Sequence, residues 1–227
     1  MDYSTLGPRA LIGLGKFTLA LAVLLFLPAW SFNYWQGWLY LIVFCGCCLI
    51  ATVYFLLTDP ALVQRRLSAG PAAENEPSQQ VIMGIASAGF LLLIVIPGLD
   101  HHWHWSDVPA WLVIVSNILV ALSFFLIVLV LRQNSYAAST IQVETGQPVI
   151  SSGAYRIVRH PMYAAALPMF VFTPPALGSY WGLLAVGIIL PAILWRLLDE
   201  ESYLIRHLPG YVEYCSRTRF RLIPGVW

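Results

Sequence analysis

From residue 35 to residue 57 the chain contains no Asp, Glu, Lys, Arg or His, and most of the stretch is aliphatic or aromatic. Wound as a helix, an apolar run of about 20 residues matches the hydrocarbon thickness of a bilayer. Three further runs have this character: 11–30, interrupted only by Lys16, and the charge-free 81–99 and 111–131. Two shorter ones, 162–177 and 181–198, carry Pro168, Pro174, Pro175 and Pro191, and such prolines bend or break helices. Charged residues make up 10% of the 227 residues, against about 25% in a soluble domain, too few to cover a water-facing surface. The pattern predicts an all-α integral membrane protein of about six transmembrane helices. The last two form a short, proline-interrupted hairpin, followed by a cytoplasmic C-terminal segment. No small-x-small cleavage site separates the first run from the second, so the first reads as a retained anchor.

Basic residues stay on the cytoplasmic side of a membrane. Six crossings put all twelve Lys and Arg on one face: Arg9, Lys16, Arg65, Arg66, Arg132, Arg156, Arg159, Arg196, Arg206, Arg217, Arg219 and Arg221. The other face receives Asp100 and Asp107. Both termini are therefore expected in the cytoplasm. A net charge of +1 argues against a nucleic-acid surface. Cys45, Cys47 and Cys48 fall in the middle of the second run and read as small apolar fillers. "HHWHW" at 101–105 mixes His101, His102 and His104 with interfacial tryptophans and lacks the ligand spacing of a metal site, so no metal is expected.

Polarity gathers in 132–161 and 196–227, which divides the chain into a four-helix region, 1–131, and a second region, 132–227. Within the second, "YRIVRHPMY" (155–163) and "RLLDEES" (196–202) bracket the same hairpin, so their ends are predicted to meet. Arg156, Arg159 and His160 then approach Glu200 and Glu201. This is either an ionic lock on the hairpin or a polar cup for a ligand bearing both charges. If the last helix runs on through "YLIRHL", its acids are relieved of the unfavourable C-terminal dipole.

"GQPVISSGAYRIVRHPMY" (146–163), "DEESYL" (199–204) and the "YVEYCSRTRFRLIPGVW" tail resemble the isoprenylcysteine carboxyl methyltransferases, a family related to the phospholipid methyltransferases. The resemblance covers roughly 130–227. It implies S-adenosyl-L-methionine as cofactor, held by Tyr155, His160, Pro161, Tyr163, Glu200 and Glu201. It also implies a lipophilic or lipidated acceptor that enters from the membrane. Ala165 departs from the glycine usual two residues after the family's tyrosine. For a carboxylate acceptor, already ionised at neutral pH, Arg159 and Arg196 are the candidates to orient it by bidentate contact. For an amine acceptor, as in phospholipid N-methylation, Glu201 is the candidate base. The rival expectation is an NADPH-dependent sterol- or steroid-type membrane reductase, whose tail is similar. No Gly-rich turn of a dinucleotide fold occurs.

Overall fold

The computed structural model describes residues 5–67, 69–74 and 76–227; residues 1–4, and Ser68 and Asn75 of the polar 68–80 loop, lie outside them. The described residues form eight α-helices and two short 3-10 turns, with no strand among them. In chain order the helices are α1 (Leu6–Ala29), α2 (Trp35–Thr58), α3 (Pro60–Leu67), α4 (Pro77–Trp103), α5 (Ala110–Leu131), α6 (Pro161–Ala176), α7 (Leu183–His207) and α8 (Tyr211–Arg217). Helices α1, α2, α4 and α5 are long and apolar enough to cross a membrane. Their outer faces are apolar: Ile42, Ile50 and Ile118 are 69%, 71% and 60% exposed. That inverts the soluble pattern and suits a hydrocarbon solvent.

Helix α6 has only 16 residues and continues through Pro168 before ending at its Pro174–Pro175 pair. Helix α7 passes through Pro191 and keeps its helical path to His207, so Asp199, Glu200 and Glu201 sit before its last turn. The segment between the second and third runs opens with α3, a single amphipathic helix with Leu62 fully buried.

Small residues set the closest crossings. A side chain at Gly98 of α4 would meet the Leu25 carbonyl of α1 at 2.7 Å, and one at Gly89 would meet Ile189 of α7 at 2.7 Å. Such close backbone approach is how helices gain packing energy where lipid removes the hydrophobic drive. Around the first crossing, Leu21, Leu25, Tyr40, Ile94 and Val120 form the central core.

The connections collect at two ends. At one, Tyr34 donates to the Leu177 carbonyl (2.6 Å), and buried Asp100 accepts from the backbone N–H and hydroxyl of Ser106 (2.7 and 2.6 Å) and from Ser179. The other end gathers α3, the α5–α6 segment, the acidic part of α7 and the C-terminal tail. Polar side chains and backbone carbonyls join them.

Candidate active site

The proline that opens α6 and the αL glycine that precedes α8 frame a cleft at this second end. Its walls come from the 134–150 segment, the 155–163 stretch, the acidic part of α7, and α8. All of its lining residues fall between 134 and 214. Tyr155, Arg159, His160, Pro161, Tyr163 and Glu200 line it beside Tyr211 and Tyr214, and Ile141, Val149, Leu204 and Leu208 make the apolar remainder.

Backbone geometry explains why these side chains converge. Gly153 has φ +57°, and a β-carbon there would collide with the Gln133 side chain, whose Oε1 accepts the Ala154 N–H at 2.8 Å. Only glycine tolerates both conditions without strain. The turn aims Tyr155 inward, where its hydroxyl accepts from Asn134 (3.1 Å) and its carbonyl accepts from Tyr214 (2.7 Å). Downstream, the N–H groups of Arg159 and His160 donate to the carbonyls of Phe220 and Arg221, both at 2.9 Å. The tail is thereby stitched along the stretch that carries the histidine.

Two polar clusters stand around the cleft. In the first, Glu201 is the hub: Oε1 lies 2.8 Å from Arg159 Nη1 and 3.4 Å from His160 Nε2, and Oε2 accepts from Arg221 Nε at 2.7 Å. His160 Nε2 is buried and makes no hydrogen bond among the described residues. Burial raises the Glu201 carboxyl, but His160, Arg221 and Arg159 outweigh it and bring the group down to about 2. A depressed carboxyl contributes stability that is complete above its unfolded value and fades as pH falls toward the folded one. Thermal unfolding in detergent should therefore show a midpoint that declines below about pH 4.5, the ordinary carboxyl range. The decline should be shallower in Glu201→Gln, and identical slopes in the two proteins would remove this assignment.

In the second cluster, Tyr163 donates to Glu200 Oε2 at 2.6 Å and accepts from Arg196 Nε at 3.1 Å. Arg196 also donates through Nη1 to Gln79 (2.8 Å) and through Nη2 to the Ser139 carbonyl (2.9 Å), and Nη1 lies 2.8 Å from Glu74. Asp199 accepts from Ser78 (3.0 Å) and Gln79, which fastens α4 to α7. The Oε1 of Glu200 accepts no hydrogen bond among the described residues.

Arg156 is exposed and makes no ion pair among the described residues, contrary to the expectation that it meets Glu200 and Glu201. The structure brings together the other residues singled out in the sequence and sorts them into two sets. Tyr155, Arg159, His160, Pro161, Tyr163 and Glu200 face the cleft, whereas Arg196 and Glu201 stand behind its wall. Every nitrogen of Arg196 is engaged by protein, and Glu201 is enclosed by Arg159, Arg221 and His160. Pro174 lies at the far end against Gly182, away from the cleft. Sequence reasoning missed Glu74 and Gln79, the partners of Arg196. The available signal was an arginine inside an apolar run, which requires an acid or amide brought to it from elsewhere.

Residues 111–209 match the family described as phospholipid methyltransferase. The chain is also similar to protein-S-isoprenylcysteine O-methyltransferase B of Arabidopsis thaliana, at 27% identity over 131 residues. That alignment covers 55% of this chain and 62% of the relative, so the chain spans less than two thirds of the relative's length. Both matches bear out the resemblance read from the RHPMY and DEESYL segments.

Proposed function

We propose, from this kinship to membrane methyltransferases, that the chain is a membrane-embedded methyltransferase that uses S-adenosyl-L-methionine and methylates the carboxylate of an acceptor with a hydrocarbon tail. The observation that carries the reading is the cleft's mixed chemistry. One wall offers a carboxylate oxygen on Glu200 with no donor among the described residues, another offers the Arg159 guanidinium and the His160 ring, and tyrosines and aliphatic side chains supply the rest. A metabolite with an ammonium, a carboxylate and a planar base suits those three surfaces. Glu200 would hold the ammonium, the His160 side the carboxylate, and Tyr155 and Tyr211 the base.

When bound, S-adenosyl-L-methionine supplies a methyl group on a positively charged sulfur, open to attack by an oxygen or nitrogen. The chain's own residues have a lighter task for a carboxylate acceptor, which is ionised near neutrality and needs no base. They align the reactants and keep water out, and alignment alone contributes up to about 7–11 kcal/mol. The Glu201 cluster holds His160 and the tail in register, and the Arg196 cluster fixes Tyr163 and through it Glu200. Amine methylation fits less well, because Glu201, the acid considered as its base, is enclosed by Arg159, Arg221 and His160.

The reading extends to topology: six crossings, with both termini and the cleft on the cytoplasmic side. The basic residues Arg65, Arg66, Arg159, Arg196 and Arg221 all gather at the cleft's end, as basic side chains do on that side. Calorimetric titration of the purified protein in detergent separates this from the reductase reading. Saturable binding of S-adenosyl-L-methionine without binding of NADPH is expected. The reverse pattern overturns the proposal.

A further inference from the structure

A second cavity of about 510 Å³ lies between α1, α2, α3 and α5, within the about 300–1,000 Å³ that ligand pockets occupy. Gly13, Phe17, Thr52, Phe55, Phe124 and Val128 are among its walls, and it contains one charged side chain, Arg66. That arginine sits where groove and cleft adjoin. Its Nη1 donates to the Ala137 carbonyl at 3.0 Å and lies 3.7 Å from the sulfur of Met162, and both of those residues line the cleft. Among the described residues it has no ion pair, and Nε and Nη2 make no hydrogen bond, in contrast to Arg65 beside it, which is paired to Glu144 at 2.6 Å. Burial pushes the Arg66 guanidinium down, and no carboxylate offsets this. Arg66 is half-buried, and a cation partly withdrawn from water is stabilised by an anion beside it. Of the two arginines considered for the acceptor, Arg196 is held through all its nitrogens by Tyr163, Gln79 and Ser139. Arg159 is held through both terminal nitrogens by Glu201 and the Arg219 carbonyl, which leaves only its buried Nε without a partner among the described residues.

We propose that the groove takes the hydrocarbon chain of the methyl acceptor and that Arg66 binds the acceptor's carboxylate at the junction of groove and cleft. This rests on the methyltransferase reading and adds to it a positioning residue, Arg66, and the groove beside it. The chain's tail would lie among Phe17, Phe55 and Phe124, and its charged end would reach the cleft without crossing the apolar core.

The test uses the full chain in phosphatidylcholine nanodiscs and two photoreactive probes, a diazirine palmitic acid and the matching diazirine hexadecanol. Crosslinked peptides are mapped by mass spectrometry, and S-adenosyl-L-methionine binding is measured on the same samples. The acid should label peptides from 10–17, 51–67 and 124–131 about tenfold more than the alcohol, the share of one charge-assisted hydrogen bond. Arg66→Met should bring that ratio to about one, and Arg66→Lys, which keeps the charge, should restore most of it. Unchanged groove labelling by the alcohol and unchanged S-adenosyl-L-methionine binding in Arg66→Met show that the fold persists, so that a fallen ratio reads the lost charge. Equal labelling by both probes in the unaltered protein, no labelling of the groove, or an unchanged ratio in Arg66→Met overturns the inference. If S-adenosyl-L-methionine binds in any of those cases, the groove assignment alone has failed. If it does not bind to the unaltered protein, the cofactor reading has failed and the acceptor assignment falls with it.

Discussion

Replacing Glu201 with alanine is expected to destabilise the fold by about 3–5 kcal/mol, the usual cost of leaving buried charges without their partner. Two arginines and a histidine converge on this one carboxylate, and its side chain is only 5% exposed. Without it, Arg159 and Arg221 repel across a poorly hydrated gap, and the tail loses the ionic contact that reinforces its two backbone hydrogen bonds to Arg159 and His160. In detergent the thermal midpoint should fall by roughly 10 °C, given the size of the chain. Cofactor binding should weaken along with it, because the histidine side of the cleft would no longer be held. An unaltered midpoint would mean that water already screens the cluster.

The neighbouring acid should behave in the opposite way. Glu200→Gln keeps an acceptor for the Tyr163 hydroxyl, so the helix and the Arg196 cluster should survive and the thermal midpoint should barely move. What disappears is the negative charge facing the cleft. Affinity for S-adenosyl-L-methionine should drop by roughly tenfold to a hundredfold, the range for one hydrogen bond to a charged group. Calorimetry on the variant reads this directly. Affinity within a factor of two of the unaltered protein would move the ammonium site elsewhere. Adjacent glutamates would thus divide into one that holds the architecture and one that meets the ligand.

The sequence made some of this plain and hid the rest, for physical reasons. The four long apolar runs coincide with α1, α2, α4 and α5 to within a few residues, because span length is dictated by the bilayer and needs no tertiary information. The meeting of 155–163 with 199–201 was also legible, since both flank one hairpin. Helix α3 was not. Eight residues are too few to form a helix alone, and this one persists because Leu62 packs with Phe55 and Leu131. Glu74 was equally hidden: one of two acids in a loop rich in Pro, Ala and Ser, it looks as solvated as Glu76, yet here it is buried beside Arg196. Which of two consecutive acids faces a cleft depends on helix rotation, and composition carries no record of that. The choice between Glu200 and Glu201 required knowing that α7 continues to His207 and where Arg221 returns.

The stitching of Phe220 and Arg221 onto Arg159 and His160 has a consequence for biogenesis. Phe220 and Arg221 leave the ribosome after α6, α7 and α8. Until they dock, His160 lacks its backbone anchor and Glu201 lacks one of its cations. A nascent chain in which α6 and α7 are already formed would therefore still lack the assembled cleft wall, which is completed only when the 220–221 segment folds back.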